Sequence, residues 1–183
     1  MAVRPIRIYG DPVLRQRTRE VTTFDESLRQ LIADMYETMK VYNGVGLAAN
    51  QIGVSQRVLV VDVPVDDERH ERFALVNPVL SHPAGGETGE AGCLSIPGIY
   101  EDVRRAQTVR IHAQDEHGQK IERTVEGYLA RAIQHEVDHL DGVLFIDRLS
   151  LLKRQFLKRA LEALARGELP EGHPPAGEAK EAK

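Results

Sequence analysis

Apolar residues recur at helical spacing in three stretches of the chain, residues 25–42, 127–140 and 150–166. A period of three to four residues places apolar side chains on one side of an α-helix. The sequence therefore predicts three amphipathic helices. The residues expected to face inward are Leu28, Leu31, Ile32, Met35 and Met39 in the first, Leu129, Ile133, Val137 and Leu140 in the second, and Leu152, Phe156, Leu157, Leu161 and Leu164 in the third.

Four shorter runs between the first two helices are rich in β-branched residues and predict strands. Residues 57–63 and 73–80 are β-branched runs bounded by prolines and charged loops, which is typical of buried or half-buried strands. Residues 108–113 and 120–125 flank a polar stretch that ends in Gly118, so we expect them to form a hairpin. A sheet is therefore expected in the middle of the chain.

Composition adds a domain boundary and excludes some classes of protein. The 183 residues are 42% hydrophobic and 28% charged, values typical of one folded domain, which we place at residues 1–166. The Pro, Gly, Glu and Lys composition of residues 167–183 predicts a disordered tail. A net charge of -4 gives no overall attraction to nucleic acid. The chain has no apolar stretch near the ~18 residues of a membrane span and no signal-like start, so we expect a cytoplasmic protein.

The strongest chemical motif lies on the second predicted helix. His135, Glu136 and His139 form the pattern H-E-x-x-H. On a helix, residues i and i+4 share a face, so both imidazoles can reach one metal ion. Glu136 is turned slightly aside, which suits a carboxylate that accepts a proton from water at the metal instead of ligating it. The motif thus predicts two ligands and a general base.

A catalytic metal site needs a third protein ligand and an open position for water. Cys93, the only cysteine, is the leading candidate, although a lone cysteine can also be a buried apolar residue or a reactive thiol. A thiolate with two neutral imidazoles favours soft or borderline divalent metals such as zinc or ferrous iron. The sequence therefore predicts one site that joins Cys93 to the histidine pair.

Three segments in this order, residues 44–53, 92–95 and 134–142, resemble the sequence motifs of the bacterial peptide deformylase family. The resemblance spans roughly residues 1–165. It implies a metal-dependent hydrolase that removes the formyl group from the N-terminal formylmethionine of new polypeptides and releases formate. It also implies an α+β fold, with mixed or antiparallel strands packed around a central metal-binding helix, an N-terminal amphipathic helix and a C-terminal helix.

The same resemblance implies roles for individual residues. Cys93, His135 and His139 would bind the metal, which is Fe²⁺ in many family members, although Zn²⁺, Ni²⁺ or Co²⁺ can occupy such sites. Glu136 would do the general acid/base work, and the Gln51 side chain with the Leu94 N–H would stabilise negative charge on the carbonyl oxygen. The residues that match substrate-binding positions are Val45, Gly46, Gly92, Tyr128, Arg131 and Ala132.

One position departs from the family pattern, and one helix suggests a partner. Many members have glutamate immediately before the glycine of the cysteine motif, where this chain has Ala91, with Glu90 one residue earlier. The change could tune the metal site but removes no ligand. Basic residues on the helix 150–166 would allow docking on ribosomal RNA, as in similar enzymes, yet a solvated amphipathic helix explains the same pattern. No DNA or membrane partner is expected.

Two other functions are compatible with H-E-x-x-H. A zincin-like metallopeptidase uses the same water chemistry, but its third ligand usually lies downstream of the helix, whereas Cys93 lies upstream. A non-catalytic, metal-stabilised binding module would normally close its site with four protein ligands. His112 or His117 would have to supply the fourth, and hairpin histidines are more often simply exposed.

Overall fold

The structure is a computed structural model that describes residues 2–173, and this part of the chain contains three α-helices and seven β-strands. The helices are α1 (Glu26–Val41), α2 (Gly127–Leu140) and α3 (Leu151–Ala165). The strands are β1 (Gly46–Ala48), β2 (Val58–Pro64), β3 (His70–Ala84), β4 (Glu87–Cys93), β5 (Ile96–Arg105), β6 (Thr108–Gln114) and β7 (Lys120–Glu126). The class is therefore helix combined with antiparallel sheet, as expected.

Five of the strands form one antiparallel sheet in the order β1-β2-β3-β6-β7. The sheet lies between α1 and α2, and the packing of β2 shows why its residues are apolar apart from Asp62. Val58 and Val60 pack in the cluster that contains the apolar side of α1, whereas Leu59 and Val61 pack in the cluster that contains α2. Because successive strand residues point to opposite faces, almost every side chain of a strand that is covered on both faces lies in the core and is apolar.

The predicted apolar side of α1 is confirmed, since all five of its residues are buried. Burying one such side chain contributes roughly 1.5–3 kcal/mol, so α1 is held mainly by its contact with the sheet. Asp25 begins the helix by accepting a hydrogen bond from the Leu28 N–H at 3.2 Å. The helix ends before Asn43, which takes a left-handed φ of 55°.

The inward side of α3 was predicted only in part. Leu161 and Leu164 are buried, but Leu152 is 62% exposed and Phe156 is 80% exposed, so the prediction was wrong for these two residues. The second half of α3 packs in the third core cluster, with Phe145 and Ile96 among its members. Helical periodicity identifies an apolar face but does not show how much of its length the rest of the domain covers.

The hairpin of β4 and β5 is a second, separate sheet that the sequence did not predict as strands. Its first strand, Glu87–Cys93, contains three glycines or alanines among charged residues and lacks the β-branched pattern of the other strands. The hairpin matters because Cys93 is the last residue of β4. It carries the cysteine to the rim of α2.

Residues 167–173, which the sequence assigned to a disordered tail, follow α3 in turns and irregular backbone. Residues 174–183, the remainder of that predicted tail, lie outside the described residues. Within residues 2–173, none of the helices combines the length and the apolar character needed to cross a bilayer.

Candidate active site and metal centre

A cleft of about 840 Å³ brings the three predicted motifs together. One wall comes from the loop before β1, a second from the β4–β5 hairpin and a third from α2. A volume of this size suits a small peptide, since ligand pockets are typically about 300–1,000 Å³. The predicted site residues that line the cleft are Val45, Gly46, Gln51, Gly92, Cys93, Leu94, Tyr128, Arg131, Ala132, His135 and Glu136.

The three predicted metal ligands converge at the base of this cleft. The Cys93 Sγ lies 3.1 Å from the His139 Nε2, which in turn lies 3.1 Å from the His135 Nε2. All three donor atoms lie within 4.8 Å of one another. Two donors on one tetrahedral ion are typically about 3.4 Å apart, given bond lengths near 2.0–2.3 Å. The donor set therefore fits a single divalent cation.

The surroundings of the imidazoles favour the form that binds metal. Burial, together with His139 and Arg105, holds the pKa of His135 well below its usual value. Burial also lowers the pKa of His139 to about 4, although Asp138 opposes the shift. Both rings are therefore neutral at pH 7, as ligation requires.

Burial has the opposite effect on the two acidic groups of the site. It raises the pKa of the Cys93 thiol to about 12, and the nearby Glu136 charge adds to the increase. Burial raises the pKa of Glu136 to about 8, while Arg105 opposes it. A thiol in this environment needs a cation beside it to become a thiolate ligand. The protein alone does not ionise it.

The carboxylate of Glu136 lies directly over Gly46 at the start of β1. A Cβ built on Gly46 would be 2.5 Å from the Glu136 Oε1, so a larger residue there would displace the carboxylate. Within the described part of the chain, Glu136 Oε2 is buried without a hydrogen-bond partner. A buried polar atom that lacks a partner is costly, and at such a site it marks the place of a ligand or water.

Gln51 is held next to the cysteine by hydrogen bonds at both ends of its amide. Its Oε1 accepts from the Ala48 N–H at 2.9 Å, and its Nε2 donates to the Ser95 Oγ at 3.2 Å and to the Cys93 Sγ at 3.5 Å. Leu94 follows Cys93 in the turn between β4 and β5 and also lines the cleft. Both predicted donors thus lie beside the metal ligands.

The predicted substrate residues on α2 lie on its exposed side. Tyr128 is exposed, whereas Val45 and Ala132 are half-buried and pack against the cluster under α2. The Arg131 guanidinium lies 5.8 Å from the Tyr128 ring centroid and donates to the Glu90 carbonyl at 2.9 Å. This part of the cleft combines an apolar floor with a positively charged rim.

A network of buried charges supports α2 from behind. Asp138 accepts from Arg105 Nη1 at 2.9 Å and from Arg148 Nε and Nη2, each at 2.6 Å. Arg105 Nη2 is buried and has no hydrogen-bond partner among residues 2–173. Ala91, the departure from the family pattern, leaves that side of the cleft without a carboxylate at its position.

Sequence reasoning missed Tyr100 and Arg105 as cleft residues. Tyr100 is 63% exposed, and its ring packs where a Cβ at Gly92 would be, 2.5 Å from its Cε1. A tyrosine seven residues after the cysteine was a usable signal, because tyrosine combines an apolar ring with a polar end and is enriched at binding surfaces. Nothing local in the sequence pairs Arg105 with Asp138, which lies 33 residues away.

The hairpin histidines are not part of the metal site. His112 lies on β6, where its Nε2 is 2.9 Å from the Ser81 Oγ, and His117 lies in the β6–β7 turn. Among the described residues, Cys93, His135 and His139 are the one group of His, Cys, Asp and Glu side chains placed to share a metal ion. A four-ligand closed site is therefore not supported by this part of the chain.

Comparisons with known proteins agree with this geometry. The polypeptide deformylase family model matches residues 3–155. A peptide deformylase of Alkalilimnicola ehrlichii is 48% identical over 166 residues, 91% of this chain and 93% of that protein. The solved peptide deformylase of Thermus thermophilus superposes with a TM-score of 0.83 at 44% identity, covering 90% of this chain and 98% of that one. That of Ehrlichia chaffeensis, solved in complex with actinonin, gives 0.84 at 36% identity, covering 92% and 99%.

Proposed function

The chain belongs to the polypeptide deformylase family, and from this premise we propose how its residues remove the formyl group from N-terminal formylmethionine. The reaction hydrolyses the formamide bond and yields formate and a free amino terminus. The observation that carries the proposal is the convergence of Cys93, His135 and His139 at the base of a cleft large enough for a peptide.

Cys93, His135 and His139 are the residues that would hold the metal ion. When bound, a divalent ion supplies Lewis acidity, which lowers the pKa of water and polarises a carbonyl oxygen. We propose Fe²⁺ as the native metal, with Zn²⁺, Ni²⁺ and Co²⁺ as possible substitutes, because one sulfur and two imidazole nitrogens suit borderline divalent ions. Metal analysis of protein purified without oxygen tests this choice.

Glu136 moves the proton in the proposed reaction. Its carboxylate accepts a proton from the attacking water and later donates it to the leaving amine. Its raised pKa suits both steps, because a group that titrates near neutral pH can accept and release a proton readily. Gly46 fixes its position by leaving room for the carboxylate at the cleft wall.

Gln51 and Leu94 stabilise the negative charge that develops on the formyl oxygen. The Gln51 amide is already oriented by Ala48 and Ser95, so little reorganisation is needed during the reaction. The Leu94 N–H supplies the second donor. Together they make a site that favours the tetrahedral transition state over the planar substrate.

The remaining predicted residues bind the peptide. Val45, Tyr128 and Ala132 form the apolar surface for the methionine side chain, with Arg131 at the rim. Backbone groups of Gly46 and Gly92 pair with the extended peptide. Because formyl is the smallest acyl group, acetylated chains are rejected by size.

An assay of formate release from formyl-Met-Ala-Ser, run without oxygen beside metal analysis, tests the function. We expect turnover of this peptide and none of acetyl-Met-Ala-Ser or of Met-Ala-Ser. Cys93→Ala and His135→Ala should lose both metal and turnover, whereas His112→Ala, a histidine outside the cluster, should keep both. Cleavage of internal peptide bonds would favour the zincin-like peptidase instead.

We also propose that the enzyme works in the cytoplasm and docks on the ribosome through α3. The exposed Leu152 and Phe156 lie on the same helix as the basic residues Arg154, Lys158 and Arg159. An apolar patch with basic neighbours suits a surface made of RNA and protein. Co-sedimentation with ribosomes should weaken in Phe156→Ala combined with Arg159→Glu; unchanged co-sedimentation would leave α3 as a solvated helix.

A further inference from the structure

The segment that follows α3 is anchored in the domain and directed towards the cleft. Gly167 takes a left-handed φ of 85°, and its N–H donates to the Leu164 carbonyl at 2.9 Å. The Glu168 N–H donates to the Ala163 carbonyl at 3.0 Å, which completes a helix-terminating turn. Leu169 then packs in the third core cluster. These contacts reverse the chain and fix its direction.

The next four residues, 170–173, line the cleft that contains Cys93 and His135. Pro170 packs on the β4–β5 hairpin, where a Cβ built on Gly98 would be 3.0 Å from its Cγ. The His173 ring lies 6.1 Å from the ring of Tyr42, at the end of α1. The segment therefore touches two separate parts of the cleft rim.

Residues 170–173 narrow the cleft but do not fill it. The volume of about 840 Å³ is measured with the segment in place, and both Cys93 and His135 still line it. The segment has Gly98 as a neighbour on one side and Tyr42 on another. The segment thus lies along the side of the cleft. Glu171 gives this side a carboxylate.

We propose that residues 170–173 form a wall of the peptide cleft that binds substrate residues after the formylmethionine, with Glu171 favouring basic side chains there. The inference rests on the proposed deformylase function, because the formyl group must lie at the metal ligands for the downstream peptide to reach this wall. The segment lies beyond residues 3–155, the part matched by the family model.

Truncation of the chain tests the contribution of residues 170–173 to peptide binding separately from the catalytic step. A chain that stops after Leu169 keeps the end of α3 and the core contact of Leu169, and a chain that stops after His173 is the matched control. For formyl-Met-Ala-Lys we expect the shorter chain to show a KM raised about threefold to tenfold with kcat within twofold, the pattern of lost uniform binding. The control should match the full chain. Calorimetry with the product peptide Met-Ala-Lys should show the same loss of affinity.

A point variant tests the charge without changing the chain length. The full chain should prefer formyl-Met-Ala-Lys to formyl-Met-Ala-Glu, and Glu171→Gln should reduce that preference about twofold to fivefold, as expected for a solvent-exposed charge pair. Glu168→Gln is the control, because Glu168 pairs with Arg166 on the helix end.

Three results would overturn the proposal. An unchanged KM after truncation at Leu169 would show that the segment does not bind peptide, and a lowered KM would show that it obstructs the cleft. A Glu171→Gln variant with an unaltered preference would remove the proposed charge selection. Absence of turnover in the full chain would instead contradict the deformylase function itself.

Discussion

The helices α1 and α2 each bury a carboxylate whose hydrogen bonds are completed within the protein, Asp34 and Asp138, but α2 also buries Glu136, and one oxygen of Glu136 has no partner among the described residues. Asp34 on α1 accepts from the Ala2 N–H at 2.8 Å, from Arg4 at 3.0 and 2.8 Å, and from Gln30 at 2.8 Å. Thr38 adds a bond to the Asp34 carbonyl at 2.7 Å. These hydrogen bonds hold the N-terminal segment, residues 2–4, against α1.

The active-site side of α2 differs because two buried side-chain atoms are left without a protein partner. In the described residues, Glu136 Oε2 and His139 Nδ1 are both buried without a hydrogen bond. Meanwhile, the Nε2 atoms of His135 and His139 face each other and the Cys93 thiol. Natural cores seldom tolerate such atoms unless a ligand completes them. Under the proposed function, the Asp34 cluster serves stability and the cluster of Cys93, His135, Glu136 and His139 serves chemistry.

The sharpest test of the contrast is Glu136→Gln. Loss of the general base should lower kcat about 10²- to 10⁴-fold. The free energy of unfolding should stay the same or increase, because the variant removes a buried carboxylate that has no compensating partner. Stopped assays of formate release and urea unfolding measure the two effects. Turnover near the wild-type value with metal still bound would reject the proton-transfer role.

Substitutions of Gln51 should lower kcat less than Glu136→Gln does. They also separate its two roles, accepting a hydrogen bond from Ala48 and donating one to the formyl oxygen. Gln51→Glu keeps the oxygen that accepts from Ala48 but removes the amide donor, so kcat should fall about 10²- to 10³-fold with little change in stability. Gln51→Ala should lose the same activity and be less stable as well. If Gln51→Glu retained full turnover, the amide would have only a structural role.

Removal of the metal should affect the two helices differently. Metal that binds only the folded state at 1,000 times its Kd adds about 4 kcal/mol of stability, so chelation should lower Tm. Amide hydrogen exchange should increase around Cys93 and residues 135–139, whereas the amides of α1 around Asp34 should change less. Equal loss of protection in both helices would show that the metal site and the α1 network unfold as one unit.

Sequence alone predicts the parts of the site that depend on local spacing. The pair His135 and His139 follows from helical periodicity, and the bounds of α2 match those expected. The pairing of Arg105 with Asp138 joins residues far apart in the chain, so no local pattern contains it. The β4–β5 hairpin was missed for a related reason. Its glycines leave room for the side chains of Tyr100 and Arg131, and glycine itself has a low strand propensity.

The exposed face of α3 shows the same limit of prediction from sequence alone. Leu152 and Phe156 continue the apolar period of Leu161 and Leu164, so the sequence gives them equal weight. Only the position of the third core cluster decides which of them is covered. How much of a helix is covered by the rest of the domain depends on tertiary packing, and helical periodicity does not show it.

The smallest effect concerns Asp34, for which activity should be unaffected. Burial alone would raise the pKa of Asp34, but the hydrogen bonds from Arg4, Ala2 and Gln30 outweigh it and lower the pKa below 3.8. Asp34→Asn should therefore lower the free energy of unfolding at pH 7 by about 1–3 kcal/mol, with kcat unchanged. Glu37→Gln, on the same helix, is the control and should change the free energy of unfolding little.

The pH dependence of that difference follows from the direction of the shift. Because folding lowers the pKa of Asp34, the ionised carboxylate stabilises the folded state fully above its unfolded pKa of about 3.9. As pH falls through the lower, folded-state pKa, the proton binds and this contribution disappears. Urea unfolding from pH 7 to about pH 2 should therefore show the difference between the wild type and Asp34→Asn shrinking as pH falls below the unfolded pKa of about 3.9. A difference that stayed constant over that range would mean that Asp34 stabilises α1 by packing and neutral hydrogen bonds, and the contrast with α2 would no longer be one of satisfied against unsatisfied charge.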